Sequence, residues 1–267
     1  MISSLAQIHP EAKIGNNVHI DAFVTIDKNV VIGDNTWIGP NVSIFSGARI
    51  GKNCKIFPGA VISAIPQDLK FAGEETTAEI GDNTAIREFV TINRGTKANW
   101  KTSVGSNCLL MAYVHIAHDC VVGNNCILAN NTTLAGHICV EDYANLGGFV
   151  AVHQFVKIGP HVYVTGGSLV RKDVPPYVKA AREPLSYVGV NSVGLRRRNF
   201  TNEQIQQIQD VYRWLYMKGM NISQSLDYIE KELPASRERD EIIMFVRNST
   251  RGIMRGLNFN REEVDFD

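Results

Sequence analysis

No stretch of this chain stays apolar for the roughly 18 residues that a membrane span requires, and residues 1–7 lack the basic flank and apolar run of a signal peptide. Both absences argue against membrane insertion and against processing for export. No sign of charge dominates either: 27 Lys and Arg stand against 27 Asp and Glu, a formal net charge of +0. With no overall field, the chain is not drawn to nucleic acid or to an anionic membrane, and any charged ligand must meet a local patch. Cysteine is scarce, five residues with no CxxC spacing. That argues against a zinc ribbon or a disulfide framework and suits a reducing compartment, the cytoplasm by default. Length excludes little, since 267 residues suffice for one large domain with a smaller companion.

What the chain does have is a period of six. Ile8, Ile14, Ile20, Ile26, Ile32, Ile38, Ile44, Ile50, Ile56 and Ile62 fall on every sixth position, and the frame returns at Ile80, Ile86 and Ile92. It resumes at Val104, Leu110, Ile116 and Val122 and runs on to Val170. Two residues before most of these sites stands a small or β-branched residue, such as Val18, Val24, Thr36, Ala48 or Ala60. Strand side chains alternate, so both residues point inward. Glycine often follows the aliphatic residue, as at Gly15, Gly33, Gly51 and Gly105, and polar Asn or Asp frequently comes after it, as at Asn16 and Asp34; these are expected to be the turn positions of unusual φ.

A six-residue unit is too short for a helix and too regular for a meander. It reads as one short strand plus one corner of a prism wound as a parallel β-helix, three sides to a coil. Residues about 18 apart then stack at roughly the 4.8 Å strand spacing. This mainly β prism is expected over residues 1–190, with loops extruded from corners at about 63–79 and 93–103, where function tends to reside. Cys54, Cys108, Cys120 and Cys126 fall on the small inward slot and read as packed thiols, whereas Cys139 does not.

After Pro175-Pro176 the repeat stops. A new element begins near Asn191, and Thr201-Asn202-Glu203-Gln204 is a capping box. Ile205, Ile208, Val211, Tyr212, Leu215 and Tyr216 follow at helical spacing, which predicts a helix to about Lys218. Segments near 223–233 and 235–256 also carry helical periodicity, and the acidic tail from Asn260 is expected to fray. Residues 191–267 are therefore read as a small α-helical domain that caps the open end of the stack.

Five of the seven histidines lie between 115 and 161, two of them in His115-Ile116-Ala117-His118-Asp119. Alternation puts Ile116 inside, His115 outside and His118 at a corner. Adding 18 to His118 gives Gly136, beside His137; adding 18 again gives Gln154, beside His153. One corner thus collects an imidazole with a carboxylate neighbour, Asp119, and a glycine whose N–H is approachable. Those are the parts for deprotonating a hydroxyl and meeting an oxyanion in acyl transfer. No Ser or Cys nucleophile stands out, so direct attack by the acceptor hydroxyl is preferred to a covalent acyl-enzyme. An open zinc site shared by histidines across a subunit interface is the rival reading. A passive prism is a third, but it would need neither the histidine column nor the loops.

Several motifs resemble the UDP-N-acetylglucosamine O-acyltransferase family over essentially the whole chain: Gln67-Asp68-Leu69-Lys70, Arg94-Gly95-Thr96, His115-Ile116-Ala117-His118-Asp119, Leu134-Ala135-Gly136-His137 and Ala151-Val152-His153-Gln154-Phe155. The resemblance implies a left-handed winding, which spacing alone does not give because parallel crossovers are otherwise almost always right-handed. It implies transfer of an (R)-3-hydroxyacyl chain from acyl carrier protein to the 3-hydroxyl of UDP-N-acetylglucosamine, the start of lipid A synthesis, in the cytoplasm of a Gram-negative-type bacterium. No cofactor or metal is implied. His118 would be the general base, Asp119 its orienting partner and Gly136 the oxyanion donor. Asp68, Lys70, His115 and His137 would surround the sugar and thioester, while His153, Gln154, Asn191, Arg197 and Arg198 would hold the nucleotide end. Gly166 would leave the acyl groove unblocked for a long chain, and a homotrimer would form its sites between subunits.

Two positions depart from the family pattern, Val193 where the family can carry Glu and Asn93 where a His often stands. The nearest alternatives are a hexapeptide acyltransferase with another acceptor or an acetyl-CoA donor. The related N-acyltransferase is expected to carry an extra domain before its hexads, which here start at Ile8.

Overall fold

The structure, a computed structural model, describes residues 1–217 and 219–256. Lys218 and the tail from Asn260 fall outside them. Most hexads supply a strand of only two residues, and Lys13–Ile14, His19–Ile20 and Thr25–Ile26 make one full turn. Strands three hexads apart pair in parallel, Thr25 over Gln7 and Ile26 over Ile8. Repetition builds three sheets of 9, 8 and 10 strands. Face one carries His115–Ile116 and Thr133–Leu134, face two Val121–Val122 and Cys139–Val140, and face three Ile127–Leu128 and Asn145–Leu146.

Two-residue strands have no stability of their own. They persist because the backbone groups of each coil bond to the next coil and because both inward slots are filled. Ile38, Ile56, Leu110, Val24, Val30 and Cys54 are fully buried. At about 1.5–3 kcal/mol for each large aliphatic side chain removed from water, every coil adds its own increment of stability.

The glycines serve a purpose other than the one expected. The left-handed positions fall two residues further on, at Asn17, Asn35, Asn53, Asn83, Asn107 and Asn125, where a short amide side chain tolerates positive φ. Gly33 and Gly105 lie outside that region, and what they need is room. A Cβ on Gly33 would stand 2.6 Å from the carbonyl carbon of Gly51 in the next coil, and one on Gly105 2.6 Å from that of Gly123. Elsewhere aromatic and imidazole rings take the left-handed position and stack coil on coil, as in Phe89–Tyr113, His137–Phe155 and Tyr143–His161.

Two coils are longer than the rest. The register Val61↔Thr91 is a step of 30, the usual 18 plus 12, and Thr77↔Lys101 is a step of 24, or 18 plus 6. The extruded segments are 65–76 and 94–100, shorter than expected because Val61–Ala64, Thr77–Ile80, Thr91–Asn93 and Lys101–Val104 remain in the sheets.

Past Pro175-Pro176 the sheet continues through Val178–Ala181, and the antiparallel strand Ser186–Val190 then closes it. Among the described residues four helices follow: α1 (Ser192–Arg196), α2 (Asn202–Met217), α3 (Ile222–Glu232) and α4 (Arg237–Arg247). The capping box at Thr201 and Gln204 forms, with Gln204 N donating to Thr201 Oγ1 at 3.2 Å and Thr201 N to Gln204 Oε1 at 2.9 Å. The last helix is shorter than the predicted 235–256. Asn248 ends it, and Ile253 and Arg255 return to bridge Asp173 and Ser186. The apolar residues that looked helical there pack on the prism instead, with Met254 buried and its carbonyl accepting from Tyr216 Oη at 2.9 Å. Tyr187 stacks on Tyr212, whose hydroxyl donates to Pro176 O, so α2 sits against the end of the coil stack. Among the described residues, no helix is long and apolar enough to cross a membrane.

Candidate active site

After His115–Ile116 the chain turns the corner between faces one and two through Ala117, His118 and Asp119. Asp119 holds the left-handed position, φ 61, with its carboxylate wholly buried. Oδ1 accepts from the backbone N–H of Thr96 at 2.9 Å and of Asn99 at 3.2 Å; Oδ2 accepts from Thr96 Oγ1 at 2.7 Å and lies 2.8 Å from His118 Nδ1. Burial works to raise the carboxyl pKa, but the hydrogen bonds from Thr96 and His118 outweigh it and hold Asp119 below the usual carboxylate range. A carboxylate at Nδ1 assigns the ring proton there and leaves Nε2 as the acceptor. That nitrogen faces Gly136: a Cβ on Gly136 would lie 2.8 Å from Nε2 and 3.2 Å from Gln154 Nε2. His137 meets the His118 ring edge-on at 5.1 Å, with its Nε2 3.7 Å from Asp119 Oδ2.

The Gly136 amide differs from its counterparts at the corner between faces two and three. There the N–H groups of Asn16, Lys52, Ser106 and Asn124 are each capped by the Asp or Asn of the next coil, at 2.7–2.9 Å. At Gly136 the next coil offers Gln154, and among the described residues the Gly136 N–H has no acceptor.

The 65–76 loop forms the other wall of one cleft of about 840 Å³. Gln67, Asp68, Lys70 and Glu74 line it together with His115, His118, Gly136, His137 and Gln154, and Thr96 and Lys97 also contribute to its wall. Asp68 Oδ1 accepts from Lys70 N at 3.0 Å, an Asx turn that shapes the loop. Asn93 Nδ2 donates to Ile65 O at 3.1 Å and the Arg94 guanidinium lies over Phe71, so the two extruded segments are tied together. His115 Nδ1 is 2.7 Å from Thr91 Oγ1, and burial lowers the pKa of its imidazole.

Not every predicted residue reaches this cleft. His153 is exposed and lies 3.2 Å from Arg251 Nη2. Gly166 stands at the corner between faces three and one, against Gly147 and Gly148. Asn191, Arg197 and Arg198 line a separate cleft of about 510 Å³ on face three, with Tyr143, His161, Lys179 and Val193. The Asn191 side chain caps α1, accepting from Gly194 N at 3.2 Å and donating to His161 O at 2.9 Å. Arg198 lies over the Tyr143 ring at 4.7 Å. The cause of the separation is the lattice itself: 118, 136 and 154 share one corner, whereas 125, 143 and 161 share the next.

A family model described as Udp N-acetylglucosamine O-acyltransferase, domain 2, matches residues 173–254, and a model of six bacterial transferase hexapeptide repeats matches 29–64 and 101–136. Over 260 residues the chain is 42% identical to the acyl-(acyl-carrier-protein) UDP-N-acetylglucosamine O-acyltransferase of Herminiimonas arsenicoxydans, covering 96% of this chain and 99% of that one. The chain belongs to the UDP-N-acetylglucosamine O-acyltransferase family. It is an acyltransferase. The solved LpxA of Bacteroides fragilis, a UDP-N-acetylglucosamine acyltransferase, superposes with a TM-score of 0.94 at 56% identity, covering 96% of this chain and all (100%) of that one. The Arabidopsis UDP-N-acetylglucosamine acyltransferase gives 0.82 at 34% identity, covering 96% and 99%. With these overlays and the hexapeptide match, the three-faced coil is a left-handed parallel β-helix. Because a plant enzyme is among its relatives, family membership does not confine the chain to a Gram-negative bacterium.

In this UDP-N-acetylglucosamine O-acyltransferase, His118, Asp119 and His137 each offer a ligand atom within 4.8 Å of the others, the dimensions of a metal site. The donor set is otherwise committed. Oδ2 already serves Thr96 Oγ1 and His118, and Oδ1 serves two amides. The acceptor positions of the carboxylate are thus taken up by two amides, a hydroxyl and an imidazole. Sequence reasoning missed Thr96, Asn99 and Thr102, the residues that hold Asp119. The Arg94-Gly95-Thr96 motif was the signal that could have found the first of them.

Proposed function

We propose that this acyltransferase moves an (R)-3-hydroxyacyl chain from acyl carrier protein to the 3-hydroxyl of UDP-N-acetylglucosamine, the first step of lipid A synthesis. His118 Nε2 takes the hydroxyl proton as that oxygen attacks the thioester carbonyl; the tetrahedral oxyanion is met by the Gly136 N–H; the C–S bond then breaks and the carrier thiol leaves with the proton from His118. Asp119 steadies the imidazolium in between, and no acyl-enzyme forms. Asp68, Lys70, His115, His137 and Gln154 surround the reacting groups, and Asn191, Arg197 and Arg198 take the nucleotide. His153, paired with Arg251, would act at the nucleotide end.

A homotrimer, with the face-three cleft of one subunit against the His118 corner of another, would unite the two sets, and Gly166 would set the acyl length. The cytoplasm, where buried thiols such as Cys54 and Cys120 stay reduced, is the compartment we assign. The observation that carries the reading is the buried His118–Asp119 pair beside an uncapped Gly136 amide.

The test combines UDP-N-acetylglucosamine with hydroxyacyl carrier proteins of several lengths, with and without EDTA. We expect turnover with long donors, unchanged by the chelator, and its near-complete loss in His118→Ala with the fold retained. Preference for short donors would overturn the role of Gly166, a fully active His118→Ala the role of the base, and loss of rate in EDTA would revive the zinc reading.

A further inference from the structure

We propose that Thr96 is a positioning residue of this enzyme: its hydroxyl holds the Asp119 carboxylate in the rotation that keeps His118 aimed into the cleft. The inference rests on the general-base reading above.

Besides His118, the donors to the Asp119 carboxylate come from the second extruded segment, with Thr96 23 residues back along the chain. That segment is pinned at both ends. The Gly95 carbonyl accepts from the buried Thr76 hydroxyl at 2.6 Å, and a Cβ on Gly95 would stand 2.4 Å from Lys101 N, so its two limbs touch. Trp100 N donates to Thr96 O at 2.7 Å and closes the ring. The ring then directs its donors at one acid: two amides at Oδ1, the Thr96 hydroxyl at Oδ2, and Asn99 Nδ2 at the Asp119 carbonyl at 3.2 Å.

Among these donors the hydroxyl has a distinct place. Oδ2 is the oxygen that faces His118, and the Thr96 hydroxyl fills its second acceptor position. Remove it, and the nearest alternative is His137 Nε2, now at 3.7 Å. The carboxylate can then turn toward His137 and draw His118 with it. Water is a poor substitute, because Thr96 is 7% and Asp119 1% exposed.

Thr96→Val keeps the shape and loses the hydroxyl, whereas Thr96→Ser does the reverse. In the acyl-transfer assay Thr96→Val should lose about tenfold or more in kcat, with KM for UDP-N-acetylglucosamine changed less than about threefold, while Thr96→Ser stays within about threefold of wild type. In an Asp119→Ala background, Thr96→Val should cost nothing further, because it acts through that acid. The opposite ranking of the two variants, equal loss in both or no loss in either would overturn the proposal. If Thr96→Val does not fold, Thr96→Ala carries the same expectation. An unreactive wild type would sink the proposed function instead, and a second readout then decides. In histidine-labelled protein the downfield Nδ1 proton resonance of His118 should survive in Thr96→Ser and be lost to exchange in Thr96→Val. Its persistence in Thr96→Val would overturn the role of the hydroxyl.

Discussion

A single methyl group at position 136 would collide with the catalytic candidate. The Cβ of Gly136→Ala would lie 2.6 Å from His118 Cε1 and 2.8 Å from Nε2, well inside contact distance. The imidazole has nowhere to retreat, since Nδ1 is held by Asp119 and the His137 ring stands edge-on beside it. Gly136 lies outside the left-handed region, so the backbone itself accepts alanine. We expect Gly136→Ala to lose about a hundredfold in kcat, the usual consequence of a misplacement of about 1 Å, and to lower the melting temperature as the crowded ring strains its surroundings. Wild-type kcat in this variant would mean that His118 swings freely and that the proposed preorganisation is wrong. His118, Gly136 and Gln154 could be read from sequence because stacking by eighteens is arithmetic. The period did not reach Thr96, because an extruded segment leaves the lattice and its contact with Asp119 spans 23 residues; only the Arg94-Gly95-Thr96 motif marked it. His153 sits beside Gln154 in sequence, yet one step earlier on the corner it lies against Arg251.

At the scale of the corner, rings on successive coils form ladders, and one of them titrates. His161 lies between Tyr143 and Tyr177, with Phe200 against its edge. Burial lowers its pKa from 6.5 to about 4, assisted by Arg198 and Arg237 and opposed by Asp142. The unfolded chain therefore takes up a proton near 6.5 that the folded chain refuses until about 4. Stability contributed by the neutral ring is complete above that window, falls as the pH drops through it and levels off below it. His115, lowered by burial, and Asp119, held below its ordinary range, fall in the same direction on acidification, so the informative quantity is a difference. His161→Phe keeps the stack and removes the titration; its urea midpoint should fall less between pH 7 and 5 than that of wild type. Equal falls would show that the ring does not carry the acid sensitivity. These ladders were only half legible. The hexad reading placed unusual φ at the glycines, but the sterics assign glycine to close approach, as at Gly33, and leave the left-handed turn to Asn35 and its counterparts. A one-letter pattern shows that a position wants no side chain; it does not show whether φ or a neighbouring coil is the reason.

At the scale of the whole molecule, one chain holds two separate clefts. His118 and Gly136 sit at the corner between faces one and two, while Asn191, Arg197 and Arg198 open onto face three. The hexad frame made the prism legible, but which corner the chain after Val190 would reach depended on the antiparallel closure by Ser186–Val190, and no repeat announces that. If copies pack in a ring with heterologous contacts, the two parts meet only between neighbours. Mixing tests this directly. His118→Ala and Arg198→Ala, each inactive alone, can be unfolded together and reassembled. In a random ring each working site needs an intact base from one subunit and an intact arginine from the next, which gives about one quarter of wild-type activity. A site completed within a single chain gives none, because every chain in the mixture lacks one part. Recovery near a quarter, with an assembled mass of three chains by light scattering, is the expected result; a monomer with full activity would refute the shared site and return Asn191 and Arg198 to some other task.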